Sequence, residues 1–261
     1  MKFAMLIGVL GVVMMLASQA RAEIKTKDIE YKHGDVVLQG TLAWDDSVKE
    51  KRPGVMVVHE WWGCNDYAKS RAKQLAALGY VAFACDMHGK GVTTTDPAQA
   101  GKLAGSIRKD QKVYRERAAA GLKVLADQPM VDAKNLAAIG YCFGGTTVLQ
   151  LACSGAELKA VVSFHGGLFK PTPEDAKAIK AKVLICNGAA DTFIDAGDRK
   201  ALCEAFEAAK VDYVFVDYAG AVHAFTQKGA GDDPSKGAAY NEAADRRSWQ
   251  AMKDFFAEVL R

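Results

Sequence analysis

Apolar residues follow two distinct patterns along the chain. Between residues 24 and 44, apolar and polar positions alternate on both sides of Gly34. Period-two alternation around a glycine-containing turn is typical of an antiparallel hairpin with one solvated face. The segments Ile24 to Tyr31 and Val36 to Trp44 therefore predict a hairpin at the edge of a sheet.

From Pro53 onward, short uninterrupted apolar runs replace this alternation. A strand that is buried on both faces needs apolar side chains at every position, so such runs indicate a sheet covered on both sides. The runs are Gly54 to Val58, Val81 to Cys85, Leu136 to Ile139, Ala160 to Phe164, Val183 to Cys186 and Tyr213 to Val216. Segments with helical spacing separate them, namely Tyr67 to Leu78, Val113 to Asp127, Thr146 to Cys153, Arg199 to Lys210 and Asn241 to Leu260.

Strand and helix therefore alternate through most of the chain. This order predicts an α/β fold with a mostly parallel central sheet, helices on both faces and right-handed crossovers. The ligand site of such a fold lies at the carboxyl ends of the strands. Side chains that follow the strands are consequently the first candidates for chemistry.

The N-terminal segment has a different character from the rest of the chain. A short basic start precedes an apolar run from Phe3 to Leu16, and the small residues Ala20 and Ala22 follow. The run is shorter than the roughly 18 residues of a membrane-spanning helix, and the A-x-A pattern is typical of signal peptide cleavage. We predict a cleaved signal peptide over residues 1–22 and a mature, exported single domain over residues 23–261, periplasmic or secreted.

Charge and cysteine content narrow the function further. The formal net charge is only +3, which gives no reason to expect nucleic acid or an anionic membrane as a partner. The six cysteines are widely spaced and include no C-x-x-C pair, so they do not indicate a disulfide framework. Cys85 and Cys186 lie in apolar strands and are expected to pack in the core, while the pairing of Cys64 and Cys203 stays open.

The strongest chemical signal is the sequence GYCFGG at residues 140–145, between a predicted strand and a predicted helix. A strand-turn-helix with glycines flanking one central residue forms a nucleophile elbow, which holds that residue in a strained conformation above the sheet. The positive end of the helix dipole stabilises a thiolate at its start. Cys142 is therefore the predicted nucleophile.

A thiol nucleophile needs a base, and elbow enzymes carry nucleophile, acid and histidine in that order along the chain. His223 is the histidine that follows the last predicted strand. Asp191 follows the preceding strand and would orient the imidazole and stabilise its charged form. Asp195 and Asp198 lie close enough in sequence to remain alternatives for the acid.

A third polar cluster, HEWWG at residues 59–63, follows the predicted strand Gly54 to Val58. Gly63 stands where a zinc-binding H-E-x-x-H motif has its second histidine, which argues against a metal. In elbow enzymes this loop and the residue after the nucleophile donate backbone N–H groups to the oxyanion, so Trp61 and Phe143 are the predicted donors. Glu60 would lie in a cleft lined by Trp61 and Trp62, and a buried carboxylate needs a partner or a task.

The HE-x-x-G loop, the GYCFGG elbow, the GAAD acid loop and the VHAF histidine loop, in this order, resemble the dienelactone hydrolase family from about Gln39 to the C-terminus. The resemblance implies an α/β-hydrolase fold without a large cap domain and a triad of Cys142, Asp191 and His223. It also implies that Glu60 contacts the resting thiol and promotes formation of the thiolate. The enzyme that gives the family its name opens a conjugated enol lactone.

In that enzyme, basic side chains bind the substrate carboxylate. One of these positions holds Gln227 in this chain, and Ala224 stands beside the histidine where a hydroxyl residue is expected. Lys90 is the candidate for the second basic position, with Lys228 adjacent to the first. Further candidate substrate contacts are Trp62, His88 and His165. These departures leave ester or lactone hydrolysis as the implied activity and leave dienelactone itself open.

The predicted function is therefore hydrolysis of a small-molecule ester or lactone through a thioester intermediate, by a monomer that uses no cofactor and no metal. A general carboxylesterase or thioesterase on the same triad is the nearest alternative. A binding protein that keeps the fold without catalysis, and a redox protein that uses the cysteines, are alternatives from other classes. The missing C-x-x-C pair argues against redox chemistry.

Overall fold

The computed structural model describes residues 23–260 and contains one eight-stranded sheet. Its strands are β1 (Ile24–His33), β2 (Val36–Asp45), β3 (Arg52–Val58), β4 (Val81–Cys85), β5 (Val131–Tyr141), β6 (Ala160–Phe164), β7 (Lys182–Gly188) and β8 (Tyr213–Tyr218). Its helices are α1 (Asp66–Ala77), α2 (Pro97–Arg108), α3 (Gln111–Ala126), α4 (Phe143–Cys153), α5 (Pro173–Ala178), α6 (Ala196–Ala209) and α7 (Glu242–Val259). The predicted signal peptide lies outside the described residues.

The strand order across the sheet is β1-β2-β4-β3-β5-β6-β7-β8. The first two strands form the expected antiparallel hairpin at one edge, and β2 also pairs antiparallel with β4. All remaining pairs are parallel. The prediction of a mostly parallel sheet with an N-terminal antiparallel hairpin is confirmed.

The two faces of the sheet bury two separate apolar cores. Along β3, Met56 and Val58 pack into one core while Val55 and Val57 pack into the other. Successive side chains of a strand point to opposite faces, so a strand covered on both faces must be apolar at every position. The uninterrupted apolar runs of the sequence arise from this double burial.

Helices α1 and α7 cover one face, and α2, α3, α4 and α6 cover the other. All five predicted helices are present, with ends that differ by a few residues. Two helices were not predicted. Asp96 caps α2 just before Pro97, but the alanines and glycines of that helix make its apolar face faint, and α5 spans only six residues.

All six cysteines are free thiols. Cys85 and Cys186 are fully buried among apolar side chains, which confirms the expected core packing. Among residues 23–260, no helix combines the length and the apolar character that crossing a membrane requires.

Candidate active site

Cys142 is the single residue between the end of β5 and the start of α4. Its backbone has φ 52° and ψ −114°, in a region that a residue with a side chain rarely adopts. The chain can turn this sharply only because the residues two positions before and after Cys142 lack side chains. A Cβ at Gly140 would lie 2.0 Å from the Gly144 carbonyl oxygen, and one at Gly144 would lie 2.2 Å from the Val58 carbonyl oxygen.

His223 and Asp191 come together from two loops at the carboxyl ends of β8 and β7. The His223 Nδ1 atom lies 2.8 Å from Asp191 Oδ2, and the aspartate side chain is completely buried. The backbone N–H of Phe193 donates to the other carboxylate oxygen at 2.9 Å. A carboxylate held in this way fixes the orientation of the imidazole and presents its second nitrogen to the cleft.

The two alternative acids have other positions. Asp195 accepts from the backbone N–H of Gly197 at 2.7 Å and caps the N-terminus of α6. Asp198 lies in the exposed first turn of the same helix. The structure therefore brings Asp191, and neither rival, to His223.

The charge state of His223 depends on both of its polar neighbours. Burial lowers its pKa, but the negative charge of a Cys142 thiolate and the hydrogen bond to Asp191 outweigh burial and raise the pKa to about 10. An imidazole in this environment keeps its proton at neutral pH. When Cys142 is a thiolate, the arrangement therefore favours a protonated His223.

The predicted oxyanion donors, Trp61 and Phe143, follow β3 and begin α4 respectively. Phe143 is the first residue of α4, so its N–H has no acceptor within the helix. The Trp61 carbonyl accepts a hydrogen bond of 3.0 Å from His88 Nε2, which fixes the loop after β3. Neither the Trp61 nor the Phe143 N–H donates to a turn, loop or cap acceptor within residues 23–260.

Glu60 is 3 % exposed, so the cleft does contain a buried carboxylate. Burial raises its pKa, although the hydrogen bond from Gln227 and the positive charge of His223 act in the opposite direction. Gln227 Nε2 donates to Glu60 Oε2 at 3.3 Å. No hydrogen bond joins Glu60 to the Cys142 thiol in the described part of the chain, in contrast to the contact that the family resemblance implied.

The structure corrects the prediction that Lys90 reaches the cleft. Its ammonium group forms an exposed ion pair with Glu30 of β1, and its N–H donates to the Val37 carbonyl at 2.9 Å. Lys90 therefore lies over the β1-β2 hairpin, at the far edge of the sheet from the strands that carry His223 and Asp191. Lys90 does follow a strand, as predicted, but the loop directs its side chain toward β1 and away from His223 and Asp191.

Two histidines that were candidate substrate contacts are buried instead. His165 has no exposed surface and hydrogen-bonds to the Cys142 backbone and to Thr226. His88 is 9 % exposed and packs against Phe143 with 5.5 Å between ring centres. Both support the site from behind, because burial leaves them no face to offer a substrate.

Exposed or partly exposed aromatic side chains lie on two of the loops that follow the strands. Trp61 and Trp62 are partly exposed and contact each other with ring centres 4.8 Å apart. Phe193, which the sequence analysis missed, is 64 % exposed and meets His223 edge-to-face at 5.2 Å. The available signal was Phe193 only two residues after the candidate acid Asp191, in a loop that follows a predicted strand.

Residues 38–260 match the model of the dienelactone hydrolase family. The chain belongs to the dienelactone hydrolase family. As a member of it, the protein is a hydrolase of the carboxylic ester class.

Similar proteins include a curated relative and two solved structures, and the two structures cover more than nine-tenths of this chain. Carboxymethylenebutenolidase from Pseudomonas sp. (strain P51) is 32 % identical over 60 % of this chain and 67 % of its own length. A solved structure named m3DLH is 42 % identical with a TM-score of 0.88, over 91 % of this chain and 99 % of that one. A dienelactone hydrolase-like promiscuous phosphotriesterase from metagenomic libraries is 40 % identical, also with a TM-score of 0.88, over 92 % and 100 % of the two chains.

Proposed function

We propose that this dienelactone hydrolase family member cleaves ester or lactone bonds by covalent catalysis at Cys142, with His223 as proton carrier and Asp191 as its orienting acid. The observation that supports this best is the meeting of three strand-end loops. A strained elbow presents Cys142 beside an imidazole whose other nitrogen bonds a buried carboxylate at 2.8 Å.

In the first half of the reaction, the Cys142 thiolate attacks the substrate carbonyl carbon and forms a C–S bond. The oxygen of that carbonyl becomes an oxyanion that accepts hydrogen bonds from the Trp61 and Phe143 N–H groups. As the intermediate collapses, the C–O bond breaks and the His223 imidazolium gives its proton to the departing alkoxide or enolate. A thioester on Cys142 remains.

In the second half, neutral His223 takes a proton from water while the oxygen of that water attacks the thioester. The new tetrahedral intermediate expels the thiolate and releases the carboxylic acid. His223 again carries a proton beside a thiolate, so the starting ion pair returns. Asp191 keeps the imidazole in the required tautomer throughout.

For Glu60 we propose a part in forming the thiolate. A buried carboxylate with a raised pKa accepts a proton more readily than an exposed one. Gln227 holds it by a single hydrogen bond from a neutral amide, which leaves the other carboxylate oxygen available. From a neutral Cys142 thiol and a neutral His223, we propose that Glu60 takes up the thiol proton and passes it to His223, which gives the ion pair that begins the reaction.

The lining supports neutral, apolar esters as substrates. Gln227 stands at one position where the family resemblance placed a base, and Lys90 is paired with Glu30 outside the cleft. Trp61, Trp62 and Phe193 offer aromatic surface around the opening instead. We therefore propose that aryl esters and uncharged lactones are hydrolysed in preference to substrates that carry a free carboxylate.

Phosphotriester cleavage is a second candidate, favoured by one observation. The 40 % identical neighbour of almost equal length is a promiscuous phosphotriesterase. A thiolate beside two oxyanion donors can attack a phosphoryl centre as well as a carbonyl carbon. The same triad would then carry both activities.

The test combines turnover with the mass of the protein. Purified residues 23–261 are incubated with enol lactones, aryl esters, thioesters and an aryl phosphotriester, and Cys142→Ala is compared with Cys203→Ala. Cys203 is a partly exposed cysteine of α6 and serves as the matched control. We expect Cys142→Ala to lose nearly all turnover and Cys203→Ala to keep it, with acyl mass found on Cys142.

Turnover that survives Cys142→Ala would reject the nucleophile. No turnover of any substrate by the parent, together with no labelling of Cys142 under reducing conditions, would favour the non-catalytic binding protein. Turnover of the thioesters alone would move the assignment to a thioesterase.

We also propose that the chain is exported and cut after Ala22. The proposal rests on the apolar run from Phe3 to Leu16 and the A-x-A pattern that follows it. The N-terminal sequence of protein recovered from the periplasm of a bacterial host should begin at Glu23. An intact Met1 on cytoplasmic protein would contradict it.

A further inference from the structure

A fully buried histidine lies directly behind the proposed catalytic base. His165 follows β6 and meets the His223 ring edge-to-face with centres 5.3 Å apart. The backbone N–H of Cys142 is shared between the Phe164 carbonyl at 3.0 Å and His165 Nδ1 at 3.1 Å, and His165 Nε2 lies 2.7 Å from Thr226 Oγ1. One imidazole therefore touches both the nucleophile elbow and the loop that carries His223.

We propose that His165 and Thr226 are positioning residues that couple the backbone of Cys142 to the loop of His223. The inference rests on the proposed function, because it concerns how the two reacting groups are held together. Within residues 23–260, no hydrogen bond joins either residue to the Cys142 thiol or to the His223 ring. Their effect passes through the conformation of Cys142 and the placement of His223.

The hydrogen bonds determine the tautomer of His165. Nδ1 faces an N–H donor, so it must carry a lone pair, and the proton must lie on Nε2. The Nε2–H then donates to Thr226 Oγ1. A second proton on the ring would point at the Cys142 N–H, so His165 stays neutral beside a neighbour that cycles through the imidazolium form.

The hydrogen bonds of Thr226 and Tyr67 are consistent with this tautomer of His165. Thr226 Oγ1 accepts from His165, so its hydroxyl proton is free to donate to Tyr67 Oη at 2.6 Å. The Tyr67 hydroxyl in turn donates to the Thr226 carbonyl at 3.2 Å. Arg71 of α1 donates to that same carbonyl at 3.0 Å and to Asp245 of α7 at 2.6 Å. The Thr226 side chain and main chain are thus both fixed to α1 and α7.

Backbone strain shows why such a link is needed. Cys142 has φ 52°, and His165 itself has φ 39°, which is uncommon for residues other than glycine. Strained residues keep their conformation only where their surroundings hold them in place. The backbone N–H of His165 donates to the Cys186 carbonyl of β7 at 2.8 Å. The backbone of His165 is therefore fixed to the sheet, and its imidazole can hold the elbow in place.

The test removes the hydroxyl of Thr226 without changing the shape of the side chain. We expect Thr226→Val to lower kcat and the rate of Cys142 alkylation by iodoacetamide at neutral pH, each by about 10- to 100-fold, with KM within about twofold. Thr226→Ser keeps the hydroxyl and should restore both rates. Thr41→Val removes an equally buried hydroxyl of β2, bonded to Asp28, and should leave both rates unchanged.

A double-mutant cycle tests the link itself. In His165→Asn the side-chain oxygen can still accept from the Cys142 N–H, but the side chain is too short to reach Thr226. Thr226→Val should therefore cost less than about threefold in the His165→Asn background, although it costs at least tenfold in the parent. If the kcat losses of the two single variants multiply in the double variant, the coupling is wrong. It is also wrong if Thr226→Ser loses as much kcat as Thr226→Val, or if Thr226→Val keeps the kcat of the parent.

Failure of this inference is distinguishable from failure of the proposed function. If Cys142→Ala keeps its turnover, the proposed nucleophile is wrong, and the positioning role of His165 and Thr226 is rejected with it. If Cys142→Ala is inactive while Thr226→Val matches Thr226→Ser, only the positioning role is rejected.

Discussion

Two pairs of histidines lie on opposite sides of the Cys142 elbow. On the side of β6 and β8, His165 and His223 have ring centres 5.3 Å apart. On the side of β3 and β4, His59 and His88 are 4.8 Å apart. Both pairs are largely withdrawn from water, yet only the first contains a histidine whose pKa is raised.

The difference comes from the polar partners. Burial lowers the pKa of His59 to about 3, with the neighbouring His88 as the next cause, and burial also lowers the pKa of His88. His59 Nε2 accepts from the Met87 N–H at 3.0 Å, and its Nδ1 bonds the Glu60 carbonyl. Such backbone partners hold a neutral ring, whereas the carboxylate and thiolate beside His223 hold a charged one.

The comparison shows how to interpret histidines that follow strands in a fold of this kind. Four imidazoles lie around the elbow, and the sequence gives each the same kind of position. The partner within hydrogen-bond distance separates the candidate base from the three that support loops. We expect the effects of mutation to separate in the same way.

The largest difference should appear when His223 and His59 are changed in parallel. His223→Ala should lower kcat by roughly 10³- to 10⁴-fold, because it removes the proton carrier of both half-reactions. The melting temperature should also fall, because the change leaves the buried Asp191 carboxylate without its partner, so turnover is measured at a temperature where both proteins are folded. The measurement is turnover of an aryl ester beside thermal unfolding. An activity loss of less than about tenfold would contradict the role of His223.

His59→Gln should change the pH dependence of stability more than it changes turnover. The folded-state pKa of His59 is depressed, so its contribution to stability is present above the ordinary histidine range and is lost as pH falls from about 6.5 toward 3. His59→Gln should therefore reduce the loss of stability between these pH values by a few kcal/mol at most, as measured by urea unfolding at several pH values. An unchanged pH dependence would contradict the depressed pKa.

The pH-rate profile tests the raised pKa of His223 directly. The folded-state pKa of His223 is raised, so the stability that its proton contributes is complete below the ordinary histidine pKa of about 6.5 and is lost as pH rises from there through about 10. We expect kcat/KM, which reports the free enzyme, to fall on an alkaline limb near pH 10. Asp191→Asn should move the limb to lower pH. A limb that is unmoved in Asp191→Asn would show that the aspartate does not hold the charged imidazole.

His88 should have a moderate effect, because it acts on the oxyanion loop from behind. Its Nε2 bonds the Trp61 carbonyl, while its Nδ1 is buried without a partner in the described structure. His88→Leu should lower kcat by about tenfold through misplacement of the Trp61 N–H. In His88→Gln the amide can replace the Nε2 donor, and this variant should retain most activity. Equal loss in both variants would mean that ring packing on Phe143 is what matters.

The smallest effect should come from Lys90, which stands outside both histidine pairs. Its exposed ion pair with Glu30 contributes little, since surface pairs contribute at most about 1 kcal/mol. Lys90→Ala should change kcat/KM by less than about twofold on neutral and carboxylated esters alike. If kcat/KM falls only for carboxylated esters, Lys90 binds the substrate carboxylate and this interpretation of its position is wrong.

Much of this fold was predictable because its signals are local. Each strand of the covered sheet is apolar on both faces, and each long helix carries one apolar stripe, so their periods can be distinguished in the sequence. The hairpin of β1 and β2 was predictable from its alternation. Helix α5 was not, because six residues are too few to show a period.

The chemistry was predictable only in part. The elbow and the order of nucleophile, acid and histidine identified Cys142, Asp191 and His223 as candidates, and the structure brings the last two within hydrogen-bond distance. The direction of Lys90 was wrong, since the turn at Gly89 and Gly91 carries it toward β1. His88 and His165 were placed at the correct ends of their strands, but burial could not be inferred from that position.

The sequence by itself determined the α/β order of elements, the double coverage of the sheet and the elbow. These depend on side-chain period and on glycines within a few residues of one another. Tertiary structure alone decided which imidazole has a raised pKa, that Lys90 points away from the triad, and which residues hold the loop of His223. The reason is distance along the chain: Tyr67 and Thr226 are 159 residues apart and still share a hydrogen bond of 2.6 Å. Burial and partners of this kind arise only when the chain has folded.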